Sequence, residues 1–202
     1  MATELWLRYD IRNGGVAAPR TALYAAAVEQ VAWADRLGFD AVMIGEHHGA
    51  DDGYIPSVAS PELLEGYRSE CQRLDRIPGR IVCFSGTGFI HVSRDPERAW
   101  TMIGKYLLHE MNAYGKWARE GGANTGFLPD IADVEMLKKT GAYFVLTPDE
   151  CLAHMCQERE VGRSIMFNPL CGGMHPDLAW ESLELFAAEV LPRYSPKPAI
   201  SV

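Results

Sequence analysis

The sequence predicts an α/β protein with a parallel sheet, and three observations carry that expectation. Leu5 to Ile44 reads as strand, helix and strand in tight succession, a βαβ unit whose right-handed crossover leaves its strands parallel. Beyond it, short apolar runs alternate with segments whose apolar residues recur every three or four positions. Helix starts are also clearly punctuated. Ser60-Pro61-Glu62, Asp95-Pro96-Glu97 and Thr147-Pro148-Asp149-Glu150 each set a capping side chain before a proline and an acid.

Each element has its own warrant. Leu5-Trp6-Leu7-Arg8-Tyr9-Asp10-Ile11 is a strand ended by the turn residues Asn13-Gly14-Gly15. Arg20 to Leu37 is a helix with Tyr24, Val28, Val31 and Ala34 as its apolar stripe and Gly38 at its C-cap. The strand Asp40–Ile44 follows. Ser60 opens a helix whose apolar face is Leu64, Tyr67, Cys71 and Leu74. Ile81 to Val92 is extended and interrupted at Gly86-Thr87-Gly88, where a bulge is expected. The longest helix starts at Asp95, with Trp100, Ile103, Leu107, Met111 and Tyr114 as its stripe. A loose glycine-containing stretch, Gly121 to Asp130, precedes a short helix at Val134–Lys139 and a strand at Tyr143–Leu146. The helix from Thr147 to about Glu158, the strand Ser164–Phe167, the loop Asn168–Gly173 and a helix from Asp177 to Val190 complete the order. Four or five strands result. An eight-stranded β/α barrel typically needs about 250 residues, more than the 202 of this chain.

Composition narrows the function. Apolar residues make up 48% and charged residues 23%, the mixture of a globular domain. No apolar run approaches the roughly 20 residues of a membrane helix. The start Met-Ala-Thr-Glu-Leu-Trp lacks a secretion signal, so the cytoplasm is the expected location. The net charge of −8 argues against nucleic acid or an anionic membrane as partner. Five cysteines, odd in number and without a Cys-x-x-Cys pair, read as free buried thiols.

Leu37 to Ala50 is the stretch richest in chemistry. Glu46-His47-His48 stands just past the second strand, and parallel sheets collect their chemistry at that carboxyl edge. A histidine there can move a proton near neutral pH, with a carboxylate fixing its tautomer. Neighbours on an extended segment face opposite ways, so one histidine serves a pocket and the other packs. The alternative is that both are packing residues. A metal site drawing on His91 or His175 would need a His-Glu-x-x-His or His-x-His spacing that is absent, so no metal is expected. Asn168 to Gly173 is open to two readings: a phosphate-binding loop before a helix, or a plain connecting turn. Trp100, Tyr114 and Trp117 read as core. Ser85 and Ser164 sit in no nucleophile motif.

Gly38-Phe39-Asp40 through Gly45-Glu46-His47-His48-Gly49 resembles the luciferase-like monooxygenase family of flavin- or deazaflavin-dependent barrels. Tyr9-Asp10, the helix from Arg20 and Val58-Ala59-Ser60-Pro61 resemble that family's N-terminal part. Phe89-Ile90-His91-Val92, Asp95–Trp100, Leu146–Cys151, Asn168–Gly173 and Leu178–Leu183 resemble its C-terminal part. The chain thus reads as one domain, with 1–61 matching the start of the family barrel, 62–202 its end, and the central strands missing. The resemblance implies a shortened, incomplete TIM-type barrel of the bacterial luciferase kind; the edge strands such an open sheet leaves unpaired lead us to expect closure by self-association, as a homodimer. It implies an oxidoreductase or monooxygenase that uses reduced FMN or the deazaflavin coenzyme F-420 on a small organic substrate. His47, with His48 and Glu46, takes the catalytic role by the same resemblance. Asp10, Gly45, Cys171, Gly172 and Gly173 are the expected cofactor contacts. The alternative is a non-catalytic flavin-binding or oligomerising remnant of the family.

Overall fold

A computed structural model of the chain describes residues 4–9, 18–44, 86–120 and 127–194, together with Ser69, Gln72, Arg73 and Asp75. The described strands are β1 (Leu5–Tyr9), β2 (Ala41–Ile44), β3 (Gly86–Thr87), β4 (Ile90–Val92), β5 (Phe144–Leu146) and β6 (Ser164–Phe167). The described helices are α1 (Arg20–Arg36), α2 (Pro96–Glu120), α3 (Val134–Lys139), α4 (Pro148–Glu160) and α5 (Pro176–Leu185). The protein is a mixed α/β structure with short parallel strands, and the described strands form no closed barrel.

Four strands pair in the order β2-β1-β6-β3, and β4 pairs with β5. The βαβ reading of the N-terminus holds: Trp6 lies opposite Ala41 and Tyr9 opposite Ile44, in parallel register. Asp40 locks this corner, with its N–H on the Leu5 carbonyl at 2.9 Å and its carboxylate accepting the Leu5 N–H at 2.8 Å. The extended run from Gly86 to Val92 breaks at Gly88-Phe89, as the glycines suggested. Its first half pairs with β6 and its second with β5, so one run belongs to both sheets.

Alternation along the strands separates two cores. Leu5, Leu7, Tyr9, Ile90, Val92, Ile165 and Phe167 face one cluster with residues of α1, α4 and α5. Phe89, Tyr143 and Val145 face another with Trp100, Ile103, Leu107 and Met111 of α2, and Leu137 of α3. The α2 stripe is the one the sequence indicated, with Tyr114 buried at its end. Aromatic contacts bind the first core: Phe39 meets Phe167 at 5.9 Å between ring centroids, and Trp33 meets Trp180 edge-on at 5.8 Å.

The stripe expected on α1 holds in its second half and is corrected in its first. Ala34 is buried and Val31 packs against the first core, but Tyr24 is 55% exposed and Val28 71% exposed, and Leu23, Ala26, Ala27 and Gln30 are buried in their place. The alanines let the helix approach β1 closely, and Gln30 is buried because its side-chain oxygen accepts the Tyr9 hydroxyl at 3.1 Å. Helix starts follow the sequence signals. Thr147 accepts from the Glu150 N–H while the Glu150 carboxylate accepts from the Thr147 N–H, a complete capping box. The final helix is shorter than expected: α5 ends at Leu185 and passes into a wider π turn at Phe186–Val190. The helix expected from Ser60 lies outside the described residues. No helix among the described residues is long and apolar enough to cross a membrane.

Leu107 has no exposed surface and sits at the centre of the second core. Leu107→Ala is expected to lower the unfolding free energy by about 2–5 kcal/mol through lost transfer energy and a residual cavity. Urea denaturation checks this; a loss under about 1 kcal/mol would mean that α2 is not packed as described.

Candidate functional site

Of the residues expected in the site, Glu46, His47, His48, Asp10 and Gly45 lie outside the described residues. Cys171, Gly172 and Gly173 are described and all three are buried. They form a short 3₁₀ turn after β6 that presses on α2. Gly172 has φ +60°, and a Cβ there would stand 2.3 Å from the Tyr106 carbonyl oxygen, so the position admits glycine alone. Cys171 N–H donates to the Asn168 carbonyl, Gly173 N–H to that of Leu170, and Met174 N–H to that of Cys171. The Gly173 carbonyl accepts from the Ala18 N–H at 3.0 Å, tying the turn to the start of α1.

What the turn brings together is a carboxylate. Glu110 is 2% exposed, inside the apolar stripe of α2 between Leu107 and Met111. The Tyr143 hydroxyl donates to its Oε2 at 2.8 Å and the Cys171 thiol to the same oxygen at 2.9 Å. The Asn168 side-chain amide donates to Oε1 at 3.2 Å. Burial, and then the neighbouring Glu110 carboxylate, hold the Tyr143 phenol well above its ordinary range, so it stays a donor. A buried carboxylate needs such donors, because an unpaired one is costly to desolvate.

Beside this cluster is a cavity of about 240 Å³, lined among the described residues by Arg8, Gly88, Phe89, Glu110, Phe127, Ala142 and Tyr143. Arg8 projects from the face of β1 opposite Leu7 and Tyr9, and its Nη2 donates to the Tyr114 hydroxyl at 2.7 Å. Its guanidinium carbon lies 5.6 Å from the centre of the Tyr114 ring, and Phe127 stacks on that ring at 4.6 Å. Phe89 and Tyr143 meet edge to face at 5.3 Å. The result is an apolar, aromatic recess with one cation and one carboxylate on its walls, the composition of a small-molecule site.

Neither charged residue was singled out from the sequence, yet both carry a signal. Glu110 interrupts a helical apolar stripe, and Arg8 interrupts an apolar strand. Charges at such positions are buried only when partnered. His91 is buried at the carboxyl end of the second sheet beside Ser93, Arg98 and Glu181, in a space of about 10 Å³, the size of one water. His175 caps α5, its Nδ1 accepting the Asp177 N–H at 3.3 Å. Among the described residues no group of three or more His, Cys, Asp or Glu side chains is placed to hold a metal ion. Cys151 and Cys171 are buried free thiols and Cys156 is a half-buried one; burial pushes Cys151 up to about 12.

Compared with known proteins, the chain matches no family model, no curated protein and no solved structure.

Two expectations follow. Glu110→Ala strands three buried donors and is expected to lower stability by about 3 kcal/mol, with Glu110→Gln costing less because its oxygen still accepts. Equal losses in urea titrations of the two variants would contradict the donor cluster. Burial lowers His91 from its ordinary 6.5 to about 4. In the unfolded chain it protonates near 6.5, so its contribution is whole above that pH and is lost as pH falls from 6.5 towards 4. Between pH 6.5 and 5 the native chain should lose about 2 kcal/mol more than His91→Gln does. Parallel stability curves for the two proteins would show that His91 is not buried in its neutral form.

Proposed function

We propose that this chain is a small-molecule oxidoreductase of the luciferase-like kind, using reduced FMN or the deazaflavin coenzyme F-420. The observation that supports it most is the recess between Arg8 and Glu110, an aromatic-walled pocket against a parallel sheet, the setting in which α/β enzymes hold small organic molecules. The Glu46-His47-His48 resemblance adds the redox class. In this reading the incomplete barrel is covered by a second copy, and His47, assisted by His48 and Glu46, transfers the proton. The cofactor would supply the hydride or oxygen chemistry, and the protein binding and orientation.

Fit to the cofactor can be weighed at the turn after β6. The Cys171 and Gly173 N–H groups are taken by carbonyls of the turn itself and Gly172 is closed against Tyr106, so these groups do not fit a phosphate. The 240 Å³ recess fits a ring and not a whole nucleotide.

A second reading is a non-catalytic, self-associating member of the same kind. Tyr24 and Val28 of α1 and Val42 of β2 are exposed apolar residues, and β2 pairs on one side only among the described strands.

Titration with FMN and coenzyme F-420, oxidised and reduced, followed by absorbance and fluorescence, tests the first reading. Saturable binding is expected, and in a turnover assay His47→Ala should slow the reaction by about 10²–10⁴-fold with little change in cofactor affinity. Absence of binding by either cofactor would remove the redox reading, and sedimentation would then decide the second.

A further inference from the structure

We propose that the recess lined by Phe89, Phe127 and Tyr143 binds an uncharged one-ring phenol, whose hydroxyl donates to the Glu110 carboxylate. The inference uses the recess described above but does not rest on the redox reading, since it needs no cofactor.

Size sets the first limit. A dry cavity of about 150 Å³ accommodates benzene. A recess of about 240 Å³ therefore holds one ring with a small substituent. The walls set the second. Phe89 and Tyr143 present an edge-to-face pair at 5.3 Å, and Phe127 is held by stacking on Tyr114 at 4.6 Å. Such walls favour an aromatic guest over an aliphatic ring of equal size, because ring edges and faces attract beyond the area they bury.

Charge sets the third. The Glu110 carboxylate and the Arg8 guanidinium both stand on the lining, one charge of each sign. A guest with a net charge of either sign meets a like charge there and also gives up its hydration shell. An uncharged guest avoids both costs, whatever other contacts Arg8 makes.

Hydrogen bonding sets the fourth. A carboxylate offers about four acceptor positions. At Glu110 three are taken: Tyr143 and Cys171 donate to Oε2, and the Asn168 amide donates to Oε1. Oε1 therefore keeps an acceptor position. The oxygen of that same amide, Asn168 Oδ1, is buried with no partner among the described residues. This corner has acceptors to spare, so the guest that suits it brings a donor. A phenolic hydroxyl is a donor that carries no charge.

The test is calorimetric titration of the full chain, without cofactor, using phenol, anisole, cyclohexanol, benzoate and benzylamine. Saturable phenol binding is expected, with each of the other compounds at least about tenfold weaker. Anisole keeps the ring and the oxygen but has no proton to donate, so its ratio to phenol reads the hydrogen bond. Glu110→Gln keeps an acceptor and loses the charge; it should weaken phenol about fivefold and leave anisole unchanged. Ala142 lines the recess from an exposed position, so Ala142→Phe should fill it and abolish binding with an unchanged circular dichroism spectrum. If Glu110→Gln fails to fold, the Ala142 variant and the phenol-to-anisole ratio decide. The proposal is overturned by no phenol binding at about 10 mM, or by any other compound binding as tightly as phenol. Phenol affinity unchanged in Ala142→Phe, or in a folded Glu110→Gln, overturns it too. Because no cofactor is present, these outcomes are separate from the fate of the redox reading.

Discussion

The Glu110 carboxylate is the constraint on which the arrangement around α2 depends. Removed from water, it is tolerable only with donors in place, and those donors come from residues far apart in the chain. Tyr143 precedes β5, while Asn168 and Cys171 follow β6. Satisfying one charge therefore fixes a long helix against the head of one strand and the exit of another. Mispacking α2 by one helical turn would bury the carboxylate among Leu107, Met111 and their neighbours without partners. An apolar residue at 110 would permit several settings of α2; the charge permits one.

The same cluster explains why the turn after β6 is so tightly drawn. Gly172 lets the backbone come within contact of the Tyr106 carbonyl, and only at that distance can the Cys171 thiol reach Glu110. The glycine pair, which in sequence could be either an anion cradle or a connector, has a geometric task here. Arg8 stands across the recess with its own anchor on Tyr114, so both charges that face the cavity are tied to α2, Arg8 by a bond to it and Glu110 as one of its residues.

Much of the fold was legible in the sequence, and the reasons are physical. Proline after a capping residue marks helix starts because it needs no donor and its φ is already set, and the starts at Pro96 and Pro148 follow. The α2 stripe was legible because large apolar residues recur at helical spacing with no rival face. On α1 the same rule failed in the first half: Tyr24 and Val28 compete with a face of Leu23, Ala26 and Ala27, and it is that second face that is buried. The recess was not legible. It joins residues 8, 89, 110, 127 and 143, and nothing in local periodicity reports that strands distant in the chain are neighbours. The signal that was present, a lone charge inside an apolar pattern, identifies burial without naming the partner.

The pairing of β1 with β6 carries a consequence for how the chain is made. Leu5 sits beside Ile165, and Leu7 beside Phe167, so among the described strands β1 completes its hydrogen bonds only with one far along the chain. During synthesis the N-terminal βαβ unit leaves the ribosome long before that partner exists, with one side of β1 open to any passing strand. Contacts of such long reach slow folding and prolong exposure of sticky edges. The architecture thus leaves β1 half-paired until β6, made long after it, has been synthesised.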